Sequence, residues 1–302
     1  MLRAPRLLIA FLLGAGVATV QPATRLMASS ADPPAPAQNT QPLRLKSAAA
    51  TPADIPFLNA EPQAEEQFLY LANQARRQVG AQPLTLDPGL TQAARTHAQA
   101  MVDARQLSHQ FDGEPSLPQR LAATTDLQLD QEGENVALDY DPEHGHEHLM
   151  LSPPHRANLL NPTYNVVGLG VVRNGNRLYI VQDFGHALPS YTVTELKDRI
   201  AVAVNQIRRQ ANQPEILRRD LLIADGVACS MAEADKVATA PARKLAERFT
   251  VLTYTSLHPE TLPSGAAHAI ASRTLHTFSV GACYARTETY PNGVYWVVLS
   301  LE

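Results

Sequence analysis

Apolar residues recur every three to four positions after Gln63, placing Phe68, Leu71, Ala72, Ala75 and Val79 on one face. That period predicts an amphipathic helix, and Gly80 supplies its stop. Asp87-Pro88 predicts a second start, an N-cap followed by a proline in the first turn. The stripe that follows is Leu90, Ala93, Ala94, His97, Ala98 and Met101, with His97 expected as a packed, hydrogen-bonded core histidine. Gln106 to Pro118 is polar and contains proline. Glu134–Leu138 then reads as a short strand and Pro142–Leu151 as a helix. Val166–Val172 and Arg177–Phe184 are β-rich runs around Asn174-Gly175, a hairpin turn signal. Helices first and an antiparallel hairpin last predict an α+β domain ending near Pro189.

The start of the chain follows a different pattern. Arg3 and Arg6 precede Leu7–Val20, an uncharged apolar run with no polar face. It is short for a membrane span and suits the hydrophobic part of a signal peptide, assigned to residues 1–28. Residues 29–60 are rich in Pro, Ala, Ser, Thr and Gln and read as a disordered linker, because they cannot bury enough surface to offset chain entropy. The expected location is therefore secreted or extracytoplasmic: periplasm, cell envelope or extracellular space. No transmembrane domain is expected in the mature protein. The 302 residues, 45% hydrophobic, suffice for about two domains. A net charge of -4 gives no electrostatic reason to expect nucleic acid as a partner.

The second half repeats the plan of the first. Asn73-Gln74-Ala75-Arg76-Arg77-Gln78 is echoed by Asn205-Gln206-Ile207-Arg208-Arg209-Gln210, and Asp87 by Asp220. Val167-Gly168 matches Val280-Gly281, and Tyr179-Ile180-Val181 matches Tyr295-Trp296-Val297. The ordered series predicts a degenerate second copy at 190–302, lacking a middle segment. In it, His268 falls where His155 sits and Arg248 roughly at the Glu134 position, so its expected role is structural or partner binding.

Four stretches of the first half line up. They are Asn73…Arg76…Gly80…Asp87; Leu107-Ser108-His109; Gly133-Glu134-Asn135; and Ser152-Pro153-Pro154-His155-Arg156-Ala157-Asn158, followed by Val167-Gly168-Leu169-Gly170. In this order they resemble the CAP superfamily, or SCP domain, which includes cysteine-rich secretory proteins, insect antigen 5 and plant pathogenesis-related proteins; the short bacterial branch is the nearest match. The resemblance covers residues 61–189. It implies an α-β-α sandwich with a cleft lined by two histidines and two acids. His109, Glu134 and His155 match three of those positions. The second acid departs from the pattern: its position holds Ser152, the usual Trp there is Leu149, and Glu147 on the preceding turn is a substitute.

Two imidazoles and a carboxylate converging on a cleft can hold zinc or another divalent cation, or move protons. His144 and His148, four apart, share a helix face and make a weaker metal clamp that reads as a solvated, opportunistic surface. Ser108 next to His109 is no triad, since neighbours in sequence rarely point at each other. The sequence thus predicts a secreted or envelope-associated binding protein whose cleft takes a metal, a lipid, a peptide or an envelope component. Metal-assisted hydrolysis of peptide or cell-wall bonds and a purely structural envelope module are the alternatives. The missing second acid and nucleophile argue against catalysis. Cys229 and Cys283 are expected to pair, being the only two cysteines of an exported chain. The repeat maps them to a helix and a strand that pack together in an α-β-α layer.

Overall fold

The computed structural model describes residues 59–302, so the leader at 1–28 and nearly all of the linker at 29–60 lie outside the described residues. Asn59 and Ala60, the last linker positions, already engage the fold: the Asn59 carbonyl accepts from Arg173 N–H, and Ala60 pairs with Val172. Chain contacts divide the rest into two units between Ser190 and Tyr191.

The first unit contains α1 (Pro62–Gln78), β1 (Thr85–Leu86), α2 (Pro88–Ala104), α3 (Leu117–Thr124), β2 (Leu129–Asp139), α4 (Pro142–Leu151), α5 (Pro153–Leu160), β3 (Val166–Asn174) and β4 (Arg177–Ala187). Its sheet order is β1-β3-β4-β2, which leaves β2 at one edge. Side chains alternate across the strands, so one sheet face can meet α1 and the other α2. Phe68 and Ala72 pack with Leu169, Val171, Ile180 and Phe184. Ala94, Ala98 and Met101 pack with Val136, Val172, Tyr179 and Val181. The result is an α-β-α sandwich. Helix α2 lies directly on β3: a Cβ on Gly168 would stand 2.1 Å from the Leu90 carbonyl carbon, and one on Gly170 would stand 2.2 Å from that of Ala94. Only glycine permits so close an approach.

Two elements depart from the expected pattern. Strand β2 is 11 residues long, because the polar run before Glu134 pairs with the end of β4, from Leu129↔Ala187 onward. Helix α3 starts at the end of the polar, proline-containing stretch and runs on through a segment for which the pattern predicts no element. Ser116 N–H donates to Gln119 Oε1 at 3.0 Å, closing the N-terminal turn around Pro118.

The second unit contains α6 (Val193–Gln210), β5 (Leu217–Arg218), α7 (Leu222–Glu233), α8 (Ala240–Ala246), β6 (Thr250–Ser256), α9 (Ala266–Ile270), β7 (Thr277–Ala285) and β8 (Val294–Leu301). The sheet order is β5-β7-β8-β6, again first, third, fourth, second. Gly281 lies under α7, where a Cβ would stand 2.1 Å from the Ala224 carbonyl oxygen. Cys229 on α7 and Cys283 on β7 form a disulfide with Cα atoms 5.1 Å apart, as expected from the sequence.

Matching side chains do matching work in the two units. Asn73 donates to the Leu84 carbonyl and accepts from Leu84 N–H; Asn205 does both with Ile216. Arg76, fully buried, donates to the carbonyls of Gln82, Leu159, Asn161 and Tyr164. Arg208 donates to those of Pro214, Ile270 and Ser272. Each guanidinium satisfies carbonyls that would otherwise be buried without donors. One sequence match does not hold. Tyr179 packs on the α2 side of its sheet, whereas Tyr295 packs on the α6 side with Leu196 and Ile200. A one-residue slip in a strand moves a side chain to the other face.

Candidate functional site

The site is built on the edge strand β2, where alternation sends Glu134 to the α2 face and Asn135 to the other. Asn135 is fully buried and donates to the His155 carbonyl and to Gln182 Oε1, both at 3.1 Å. Asn158 donates to Asn135 Oδ1 at 3.0 Å and to the Glu134 carbonyl at 3.1 Å. These bonds tie α5, and with it His155, to β2.

On the other face, Glu134 receives His109 and Arg120. His109 Nδ1–H donates to Glu134 Oε1 at 2.8 Å, while the His109 side chain is 60% exposed. Arg120 Nη2 donates to Glu134 Oε2. Because Arg120 keeps Glu134 an acceptor, the His109 tautomer is set, and its Nε2 lone pair is left for a ligand. The His109 loop is held from below. His97, fully buried, donates through Nε2–H to the Ser108 carbonyl at 2.8 Å, and its Nδ1 meets Glu114 Oε1 at 2.7 Å. Arg120 Nη1 donates to the His109 carbonyl at 3.3 Å.

Asp183 completes the cluster. It stands opposite Glu134 in the β2–β4 register and is fully buried. No N–H donor reaches either of its oxygens. Burial, and next the Glu134 carboxylate, push the Asp183 carboxyl well above the usual carboxylate range, with Arg120 opposing in part. A protonated Asp183 has an O–H to offer Glu134. The folded state therefore keeps a proton that the unfolded chain releases, and its stabilising effect is present in acid and is lost as pH rises through the elevated Asp183 pKa. Asp183→Asn mimics the neutral form, so its urea midpoint is expected to stay level across that rise while the wild-type midpoint falls. Parallel profiles would mean that Asp183 is ionised throughout.

The remaining expected residues do not gather here. His144 Nδ1 pairs with Asp141 at 2.8 Å, and His148 Nδ1 with Asp139 at 2.6 Å. The Asp141 carboxylate raises the His144 pKa. With separate aspartates, the two histidines form no clamp. Glu147 is exposed, with no interaction that places it beside Glu134, and Ser152 joins α4 to α5 through its backbone, accepting from Arg156 N–H. His155 is half-buried, and burial first, then the charge of His109, lower its pKa. Among the described residues, no three His, Cys, Asp or Glu side chains assemble to hold a metal ion. The chemistry agrees: Glu134 spends both oxygens on Arg120 and His109, so the cation neutralising it is a guanidinium. The donor set does not fit a resident divalent ion. Sequence reasoning missed Arg120, Glu114 and Asp183. The Ser116-x-x-Gln119 box would have found α3, and an acid inside the apolar run Leu178–Phe184 pointed to Asp183.

Residues 69–184, which carry this α-β-α sandwich with His109 and His155, match the model of the cysteine-rich secretory protein family, CAP. The first unit of this chain belongs to the CAP family. The uncharacterized protein YkwD of Bacillus subtilis (strain 168) is 32% identical over 113 residues, which is 37% of this chain and 44% of that protein. The chain thus spans less than half the length of that relative. An extracellular protein containing a SCP domain from Bacillus anthracis str. Ames is 26% identical, with a TM-score of 0.39 over 42% of this chain and 41% of that one. An outer surface protein from Borrelia burgdorferi is 18% identical, with a TM-score of 0.39 over 42% of this chain and 94% of its own.

Proposed function

We propose that this chain is an exported, two-domain CAP protein that binds a peptide-like component of the cell envelope through His109 and His155. The observation that carries the reading is the exposed His109, held through Nδ1 by a Glu134 already neutralised by Arg120. Such an imidazole is oriented and leaves Nε2 to accept an N–H from a ligand. The lowered pKa of His155 favours its neutral form, so that ring offers hydrogen bonds rather than charge. Export by the leader at 1–28, with residues 29–60 as tether, is supported by the Cys229–Cys283 disulfide, which belongs to an oxidising compartment. No helix of the described residues is long and apolar enough to cross a membrane.

In the same reading, 190–302 is a degenerate CAP-like copy of 61–189 without the site. The shared sheet order and the paired roles of Asn73 with Asn205 and Arg76 with Arg208 support this. Aligning the carbonyls that the two arginines bind sets Leu159 against Ile270, and so His155 against buried Ala266 rather than His268. Arg248 precedes β6, outside the strand that would carry a Glu134 counterpart.

The test is titration of the full chain with soluble peptidoglycan fragments, following the imidazole resonances of His109 and His155. Saturable shifts are expected, with at least about tenfold weaker binding in His109→Ala, corresponding to one lost hydrogen bond of about 1.4 kcal/mol. Unfolding of that variant should be almost unchanged, since the ring is mostly exposed. Turnover of the fragments that disappears in His109→Ala would replace the binding reading with the hydrolase. Silent resonances would remove the peptide-like ligand.

A further inference from the structure

The second unit holds a small cavity between one face of α6 and the loop that follows β6. Ala203, Gln206, Ile207 and Gln210 line it from the helix, and Glu260 and Leu262 line it from the loop. Steps of three and four residues put the helix positions on one face. The cavity measures about 160 Å³. At roughly 30 Å³ for a water-sized group, that space takes about five heavy atoms, well short of a drug-sized ligand. Its walls are mixed. Ala203, Ile207 and Leu262 are apolar, while Gln206 and Gln210 are exposed and offer amide groups.

Glu260 says what kind of ligand fits. Its Oε2 is buried and has no hydrogen-bond partner. Among the described residues, no lysine, arginine or histidine pairs with it. Burial first, and then the Glu260 carboxylate, raise the Tyr254 pKa, yet the Tyr254 hydroxyl donates to the Pro259 carbonyl at 2.7 Å and not to Glu260. That bond, with Thr261 N–H donating to the His258 carbonyl at 2.8 Å, braces the loop on either side of Glu260. A carboxylate oxygen held out of water without a donor or a cation is costly, so a cation is the partner it lacks. A hard divalent ion wants about six oxygens, which three apolar wall residues cannot supply. An ammonium carries three N–H donors, enough for one carboxylate and two amide oxygens.

We infer that this cavity binds a primary alkylammonium group of about four carbons, the end of a lysine-type side chain or of a small diamine. Its methylenes lie against Ala203, Ile207 and Leu262, and its nitrogen donates to Glu260 and to the amide oxygens of Gln206 and Gln210. The net charge of -4 favours the approach of such a cation. The site is separate from His109 and does not depend on the reading given to that histidine.

The experiment uses the full chain, with isoleucine and leucine methyl groups labelled for NMR, and n-butylammonium chloride as the probe. Saturable shifts of the Ile207 and Leu262 methyls are expected. Binding of n-butanol, with the same chain and no charge, should be at least tenfold weaker. Glu260→Gln should weaken butylammonium binding at least tenfold without lowering thermal stability, since it removes a carboxylate that has no partner. Ala203→Leu, which fills the cavity from the helix side, should weaken it as much, and His109→Ala should bind as the wild type does. Comparing Nα-acetyl-lysine methylamide with 1,4-diaminobutane distinguishes the two sources, the tighter binder naming the one in use. Absence of saturable shifts, equal binding of n-butanol, or full binding by either cavity variant would each overturn the assignment. Shifts produced by calcium and not by butylammonium would overturn it in favour of a metal site.

Discussion

Replacing Arg120 with methionine is expected to destabilise the first unit by about 3–5 kcal/mol, the cost of leaving one member of a buried ion pair alone. The Arg120 and Glu134 side chains are 6% and 4% exposed, so water cannot take over the pairing. Asp183, another carboxyl on the same sheet face, carries no positive charge to replace the guanidinium. His97 cannot step in for the guanidinium, since its Nε2 lies 3.9 Å from Glu134 Oε2 and is already committed to the Ser108 carbonyl. Arg120→Lys should recover only part of the loss. A single ammonium cannot reach Glu134, the His109 carbonyl and Glu114 together, as the guanidinium does. The double variant Arg120→Met/Glu134→Gln should be more stable than Arg120→Met, because the orphaned charge has gone. Urea unfolding of the full chain, with the first unit's transition followed separately, measures all three. A loss under about 1 kcal/mol would assign the pair to the solvated class. The same variant should also free the His109 loop, since its carbonyl loses a donor.

Removing the disulfide is the other large effect. Cys229→Ser/Cys283→Ser opens a loop of 54 residues and is expected to cost the second unit about 4 kcal/mol in the chain-entropy picture. The bridge ties α7 to the sheet beside Val227, Met231 and Trp296, so its loss also loosens that helix. The unfolding transition of the second unit should move to lower urea and match that of the reduced wild type, while the transition of the first unit stays in place. A second transition that does not move on reduction would show that packing of α7 alone holds the layer. If both transitions moved together, the two units would be unfolding as one.

Much of the fold could be read without coordinates because its signals are local. The apolar stripes of α1 and α2 repeat at the helical period, Asp87-Pro88 marks a start, and Asn174-Gly175 marks the β3–β4 turn. The Cys229–Cys283 pairing followed from two cysteines and an ordered repeat. Asn73, Arg76, Asn205 and Arg208 announced themselves as an echo. Their shared task, closing loops through backbone carbonyls, appears only when the loops are folded around them. Strand positions were less secure: a match such as Tyr179 with Tyr295 survives a one-residue slip in sequence but not in space, where each slip turns a side chain over.

The candidate site divides along the same line. His109, Glu134 and His155 stood out by residue type and motif order, and each could be named. Whether Glu134 is a free metal ligand or a paired carboxylate depends on Arg120, which comes from a separate short helix, and on Asp183, which comes from a strand remote in sequence. Ion pairing and burial act through distance in space, and nothing in the spacing along a chain encodes them. Residue patterns therefore established the helices, the hairpin, the disulfide and the histidines. The close contact of α2 with Gly168 and Gly170 and the β2–β4 register, both products of tertiary packing, decided that Glu134 stands opposite Asp183 and pairs with Arg120 and His109.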